Sequence, residues 1–381
     1  MDHQTMIKRY YDIQKLIQKG KALIIYGPRR SGKTTLLVDF LKHTKLKYKL
    51  DSGDNIQLQE LLGSDDVQRI LEYAEGYDLI AIDEAQQIAS IGRGLKILVD
   101  HLPQLAVIAT GSSSFDLSQQ VGEPLTGRKK TVILFPVAQM ELTPQYNAFE
   151  LKQKLEEFLI FGSYPEVITA RSRKEKIRIL TELVNSYLLK DVLSIERIKG
   201  SKQLLNMLKL LAFQIGSEVS LNELATAVHL DVKTVGRYLD ILERGFVLKR
   251  LGGFSRNLRK EVYQKAKYYF LDTGVRNALI AQFNPLASRN DVGALFENFV
   301  LMERWKCNEY KERVGTSYFW RTYDGQEIDL VEERGGKLLG YEIKWSATSS
   351  PKVPKDWHTT YSNASFKLIT RSSYLLFMGI S

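Results

Sequence analysis

Only one cysteine, Cys307, occurs in 381 residues. An internal disulfide and a multi-thiolate metal site are therefore excluded, and a reducing compartment is expected. No stretch approaches the roughly 18 uninterrupted apolar residues of a membrane span, so an integral membrane protein is not expected. The first residues, MDHQTMIKRYYDIQK, lack an apolar core followed by small residues, which leaves the cytoplasm as the expected location. Internal repeats and low-complexity tracts are missing too. Acidic side chains are the scarcer charge: 44 Asp and Glu stand against 54 Lys and Arg, a formal net charge of +10. Such an excess attracts polyanions, nucleic acid or anionic lipid, without choosing between them. At 44% hydrophobic and 26% charged residues the composition is that of an ordinary globular chain, and its length calls for several domains.

What is present begins at residues 21–26, KALIIY, a short apolar run that ends at GPRRSGKT (27–34). TTLLVDFLKH then carries apolar positions at helical spacing, which predicts a strand, a phosphate loop and a helix. In the G-x-x-x-x-G-K-T spacing, Gly27, Pro28, Arg29, Arg30, Ser31, Gly32, Lys33, Thr34 and Thr35 form the nucleotide-binding loop. Its backbone N–H groups surround the β-phosphate of ATP, Lys33 reaches the β- and γ-oxygens, and the Thr34 hydroxyl meets Mg²⁺. Two further apolar runs, DLIAID (78–83) and LAVIAT (105–110), read as parallel strands buried on both faces. Asp83 and Glu84 end the first of them, where one carboxylate can bind the magnesium shell and its neighbour can orient the attacking water. The second continues into GSSSFDLS, placing Ser112 and Ser113 where a hydroxyl could sense the γ-phosphate. Arg128, in LTGR, is a candidate finger for the γ-phosphate of a neighbouring subunit.

The sequence divides into four segments: a nucleotide-binding core over 1–148, a helical lid over 149–200, a helix-turn-helix with a following hairpin over 201–282, and an α/β domain over 283–381. In the third, NELATAVHL and KTVGRYLDILERG are two short helices, with Ser220 and Asp231 at helix-starting positions. The stretch after them predicts a hairpin, making the unit a winged helix. Between residues 244 and 267 eight Lys or Arg face a single acidic residue, Glu261. Lys233 and Arg237 on the second helix, with Arg256, Arg259 and Lys260 on the wing, are the candidate DNA contacts. In the last segment the pairs Asp324–Gly325 and Gly335–Gly336 mark turns between strands.

GPRRSGKTT, IDEAQ, TGSSS, LTGR followed by FPVAQMEL, the GSYPEVI turn, and the closing FENFV, EIDLV and YEIKWS give the chain its resemblance. It resembles the AAA+ type ATPases of bacteria and archaea that carry a C-terminal domain of unknown function, number 4143. That resemblance implies phosphate, magnesium, sensor and inter-subunit roles for Lys33, Thr34, Asp83, Glu84, Ser112 and Arg128, and a homo-oligomer in the form of a hexameric ring. The C-terminal pattern adds a second one. A helix glutamate, Glu297, then Asp329 on one strand and Glu342 with Lys344 on the next, resembles the restriction-endonuclease-like core. There Glu297, Asp329 and Glu342 would bind Mg²⁺, and Lys344 would steady the water nucleophile and the phosphate. Alternatively the same residues keep a fold without cleaving anything. The expected architecture is thus α/β: a P-loop AAA+ core with a parallel sheet and helical lid, then a winged helix and a restriction-endonuclease-like domain. The expected activity is ATP hydrolysis coupled to binding, translocation or remodelling of duplex or branched DNA. The alternative is a nucleotide-dependent switch or scaffold that assembles with a protein partner.

Overall fold

The computed structural model describes residues 7–112, 125–188, 201–255, 266–322, 325–346, 353–361 and 363–380. It divides into two compact units, Arg9–Val137 with Arg244–Phe246, and Ala138–Glu243 with Val247–Ser381 and Met1–Lys8. Ser113, Arg256, Arg259, Lys260 and Asp324, named above, lie outside the described residues. Among the described residues no helix is long and apolar enough to cross a membrane.

The first unit is a parallel sheet between helices. Strands β1 (Ala22–Tyr26), β2 (Tyr48–Ser52), β3 (Leu79–Asp83), β4 (Ala106–Gly111) and β5 (Lys129–Ile133) are ordered β2-β3-β4-β1-β5, and every pair is parallel. The continuous apolar text of β1, β3 and β4 follows from this position, since a central parallel strand is covered on both faces. Alternation then divides each strand between two cores. Ile24, Ile80, Ile82, Val107 and Ala109 pack with Leu58, Ile70 and Leu95, which come from helices α1 (Ile56–Leu62), α2 (Val67–Ala74) and α3 (Ile91–His101). Their neighbours Leu23, Ile25, Leu79, Ala81 and Ile108 pack on the opposite face with Leu37 and Leu41 of the helix Lys33–His43. β2 is a sheet edge and reads differently, YKLDS, with Lys49, Asp51 and Ser52 beside Tyr48 and Leu50 and no buried position.

The second unit is built on one seven-stranded sheet, ordered β12-β11-β10-β9-β7-β8-β6. Its strands are β6 (Glu218–Val219), β7 (Leu248–Gly253), β8 (Ala266–Phe270), β9 (Thr316–Arg321), β10 (Glu327–Arg334), β11 (Lys337–Ile343) and β12 (Ser365–Ile369). β7 and β8 pair antiparallel, as the hairpin expectation requires. On its other side β7 pairs in parallel with β9, Gly252 beside Tyr318 and Gly253 beside Phe319. One sheet therefore runs through the segments 201–282 and 283–381. The turn signals hold where they are described: Gly325, Gly335 and Gly336 have φ of 84°, 52° and 74°, which side chains rarely adopt.

Preceding the β7–β8 pair, helices Leu221–Val228 and Val232–Arg244 are started by side chains. Ser220 Oγ accepts from Glu223 N (3.4 Å), and Asp231 accepts from Thr234 N (2.8 Å) and Thr234 Oγ1 (2.6 Å). Each such cap satisfies backbone amides that have no partner within the helix. His229, at φ 55°, closes the first helix in the left-handed region.

Two buried polar junctions hold the second unit. In the first, Lys306 is 1% exposed and donates to Glu303 Oε1 (2.7 Å) and Ser163 Oγ (3.1 Å). Asp272 accepts from Ser163 N (2.7 Å) and Val275 N (3.0 Å), while Glu303 accepts from Gln139 N (2.6 Å). This ties Gln139, the GSYPE turn, LDTG and the long helix Val292–Tyr310 into one knot. Gly162 (φ 73°) is required there, because a Cβ would stand 2.0 Å from Asp272 Oδ1.

In the second junction Asp291 pairs with Arg276 (2.5 Å) and Arg289 (2.8 Å). Burial pushes its carboxyl up, but the Arg289 and Arg276 hydrogen bonds and charges outweigh burial and hold it at about 2. A carboxyl depressed on folding adds stability above its unfolded pKa and loses it as pH falls through the folded value. Asp291→Asn is therefore expected to lower the unfolding free energy by about 2 kcal/mol at neutral pH. That difference should shrink as the pH falls from about 4 towards 2. Urea melts of both proteins across this range check it, and a difference independent of pH would remove the ion-pair account.

Candidate functional site

The loop between β1 and the helix Lys33–His43 is shaped by its glycines. A Cβ on Gly27 would meet the Leu134 carbonyl at 2.2 Å, and Gly32 sits at φ 95°. Arg30 also has positive φ (58°), so right- and left-handed residues follow one another as in backbone anion nests. Lys33 is 5% exposed and donates to Gly27 O and Pro28 O, each at 2.9 Å. Arg29 and Arg30 are half-buried, and Thr34 and Thr35 are exposed. Ser31 Oγ is buried with no hydrogen-bond partner inside the loop, a polar atom left over for a ligand.

At the facing end of the sheet Thr34 Oγ1 donates to Asp83 Oδ2 at 2.7 Å. Hydroxyl and carboxylate oxygens side by side are the hard donors that Mg²⁺ takes, its remaining positions going to water and phosphate, so these residues fit the ion. Thr110 Oγ1 donates to Asp83 Oδ1. Glu84 follows in the left-handed region (φ 51°), with its N–H on Thr110 Oγ1 (3.3 Å). Gln86 then joins the two sides of the site. Its Nε2 donates to Glu84 Oε2 and to Ser112 Oγ (3.1 Å), and its Oε1 accepts from Ser112 N (3.3 Å). Arg128 is 46% exposed and pairs through Nε with Asp100.

The second unit gathers Glu297, Asp329, Glu342 and Lys344 and adds three residues, Lys267, Tyr269 and Glu327. Glu297 accepts from the Tyr269 hydroxyl (2.6 Å) and lies 3.8 Å from Lys267 Nζ, which also bonds Glu327. Asp329 Oδ2 accepts from Ile343 N (2.7 Å), and Glu342 pairs with Lys344 (2.7 Å). Burial, followed by the charge of Asp329, raises the Glu297 carboxyl well above the usual range; burial and then Glu342 raise Asp329. Every carboxylate thus has a protein partner. Among the described residues no three His, Cys, Asp or Glu side chains form a group that could hold a metal ion. The expected magnesium set of Glu297, Asp329 and Glu342 does not fit a divalent ion as arranged, because one oxygen of each carboxylate is engaged by a tyrosine, backbone or lysine donor and the Lys267 ammonium already stands beside Glu297. Lys233 and Arg237 lie on the exposed face of their helix, four residues apart.

Residues 19–143 match the family model of the AAA domain, and residues 292–375 match the domain of unknown function 4143. The chain joins these two domains. Between them, residues 152–286 match another domain of unknown function, 8612. An uncharacterized protein of Mycobacterium tuberculosis is 28% identical over 347 residues, covering 90% of this chain and 74% of that one. One from Haemophilus influenzae is 24% identical, over 94% of this chain and 90% of its own length. Among solved structures, the signal transduction ATPase with a tetratricopeptide repeat sensor from Pyrococcus horikoshii aligns with a TM-score of 0.29 at 13% identity. That alignment covers 79% of this chain and 44% of that one.

Several residues of these sites escape a reading of the sequence. Gln86 of the AAA domain stands inside the IDEAQ motif, and that position was the available signal. Gly53 donates its N–H to Asp83 O (2.7 Å), and a Cβ there would meet Glu84 O at 2.2 Å. Arg9 donates to Ser31 O and Phe135 O (2.6 Å), bracing the phosphate loop from polar N-terminal text that carries no motif. Lys267 and Tyr269 lie in AKYYF, upstream of the 4143 domain, where nothing marks a site.

Proposed function

We propose that this protein hydrolyses ATP in its AAA domain and uses the hydrolysis to act on duplex or branched DNA. The observation that carries the first half is the connected set Thr34, Asp83, Thr110, Glu84, Gln86 and Ser112 beside a phosphate loop at the ends of parallel strands. Ligands of open parallel sheets bind at that edge. In this reading Lys33 leaves the loop carbonyls for the β- and γ-phosphates, and Thr34 and Asp83 hold Mg²⁺, which neutralises phosphate charge. Glu84 orients the attacking water, Gln86 keeps Glu84 and Ser112 in register, and Ser112 meets the γ-phosphate. Arg128 exchanges Asp100 for the γ-phosphate of a neighbouring copy in a homo-oligomeric ring.

The DNA half is supported by the capped helix pair followed by the antiparallel β7–β8 strands, which supports reading the segment as a winged helix. Its exposed Lys233 and Arg237, together with Arg256, Arg259 and Lys260 of the wing, would supply phosphate contacts, whereas the buried Lys267 would not. The 4143 domain contributes binding, and no metal-dependent cleavage is assigned to it.

The test is the ATPase rate with single-stranded, duplex, forked and four-way DNA, together with binding measured against salt. Lys233→Ala with Arg237→Ala is expected to reduce the slope of log affinity against log salt by about two units, one per lost phosphate contact. Basal ATPase should persist. An ATPase indifferent to every DNA, with no salt-dependent binding, would move the helix pair to a protein-partner role.

A further inference from the structure

We propose that Lys267 is the resident cation of the carboxylate cluster in the second unit and keeps divalent metal ions out of it. The ammonium comes from β8 and is 2% exposed. It passes over the Phe319 ring of β9 (5.4 Å to the centroid), bonds Glu327 of β10 and stands 3.8 Å from Glu297. Asp329 also feels its charge. A buried ammonium is held only where carboxylates neutralise it, so the attraction is mutual. The carboxylates gain a permanent partner that needs no uptake from solution.

Geometry separates this arrangement from a metal site. Oxygens around an ammonium stand about 2.7–2.9 Å from nitrogen, whereas Mg²⁺ requires them at about 2.0–2.1 Å in a near-ideal octahedron. Glu297 is held further by the Tyr269 hydroxyl, Asp329 by the Ile343 amide and Glu342 by Lys344. An incoming divalent ion would find only the second oxygen of each carboxylate and would sit beside the Lys267 charge, which repels it. What resembles a metal-dependent phosphodiesterase core is then a lysine-closed ion-pair core. Any action of this unit on DNA is consequently non-hydrolytic.

The experiment is Mn²⁺ titration of the nucleotide-free full-length protein, followed by electron paramagnetic resonance. Asp83→Ala is included throughout so that the nucleotide site contributes no ion. With Lys267 present, no Mn²⁺ should bind that Asp329→Ala can remove. Lys267→Met, which keeps the length of the side chain and deletes its charge, should tighten Mn²⁺ binding by roughly tenfold or more. Adding Glu297→Gln should reverse the gain, and Lys267→Arg should show none. A folded Lys267→Met protein without gain overturns the proposal. So does an Mn²⁺ bound with Lys267 in place and lost in Asp329→Ala, a result that does not require Lys267→Met to fold. Neither ATP nor DNA enters the titration, so its outcome is separate from that of the ATPase and DNA-binding tests.

Discussion

Lys33→Ala is expected to lower the ATPase rate by at least about 10²–10³-fold, because the phosphate loop loses its only lysine, whose ammonium meets the β- and γ-phosphates. The lysine stem is buried, and its three donors now face two loop carbonyls, an arrangement that nucleotide phosphates can replace without moving the backbone. Alanine fits the helix start, so the protein should remain folded. Phosphate release under saturating Mg-ATP, with circular dichroism as the folding control, gives the answer. A variant that hydrolyses ATP near the wild-type rate would show that GPRRSGKT is not the catalytic loop.

The largest expected effect on stability belongs to Lys306→Met. Removing the ammonium leaves Glu303 and Asp272 buried without their cation, in a region where burial already raises both carboxyls. Breaking a buried pair by deleting one partner costs about 3–5 kcal/mol. Unfolding of the second unit should therefore shift to clearly lower urea, while nucleotide binding by the AAA domain is retained. Glu303→Gln in the same chain should recover part of the loss, because a neutral amide has less charge to leave stranded. If Lys306→Met melts like the wild type, solvent reaches this junction and the knot does not hold the unit together.

These two experiments fall on either side of what the sequence made legible. The phosphate loop could be read because its glycines, lysine and threonine lie within eight residues, and each has a local backbone or phosphate-binding reason to be there. The strands β1, β3 and β4 could be read for the same kind of reason: burial on both faces writes itself as an apolar run. β2 could not, since an edge strand with polar residues looks like a loop. Buried charges are the other blind spot. Lys267 reads as part of a basic run because its neutralising partners, Glu297 and Glu327, come from distant parts of the chain, while Lys306 and Glu303, three residues apart on one helix, look like an ordinary surface pair. The carboxylate cluster was half visible: Glu297, Asp329, Glu342 and Lys344 do meet, but the lysine and tyrosine that alter its chemistry come from a different segment. Nor does any local signal announce a parallel pairing between Gly252 and Tyr318.

That pairing has a consequence for how the polypeptide can be divided. β7 spends one side on β8 and the other on β9, so a fragment ending near residue 282 would carry a strand with amides and carbonyls bared along its flank. Natural sheets cover or blunt such flanks because they recruit strands from other molecules. The complementary fragment, beginning near residue 283, would lack Lys267 and Tyr269 and would leave Glu297 without either partner. The border between the 8612 and 4143 domains, clean as it is along the sequence, is therefore no place to cut the chain: each half supplies the other's missing edge and counter-charge.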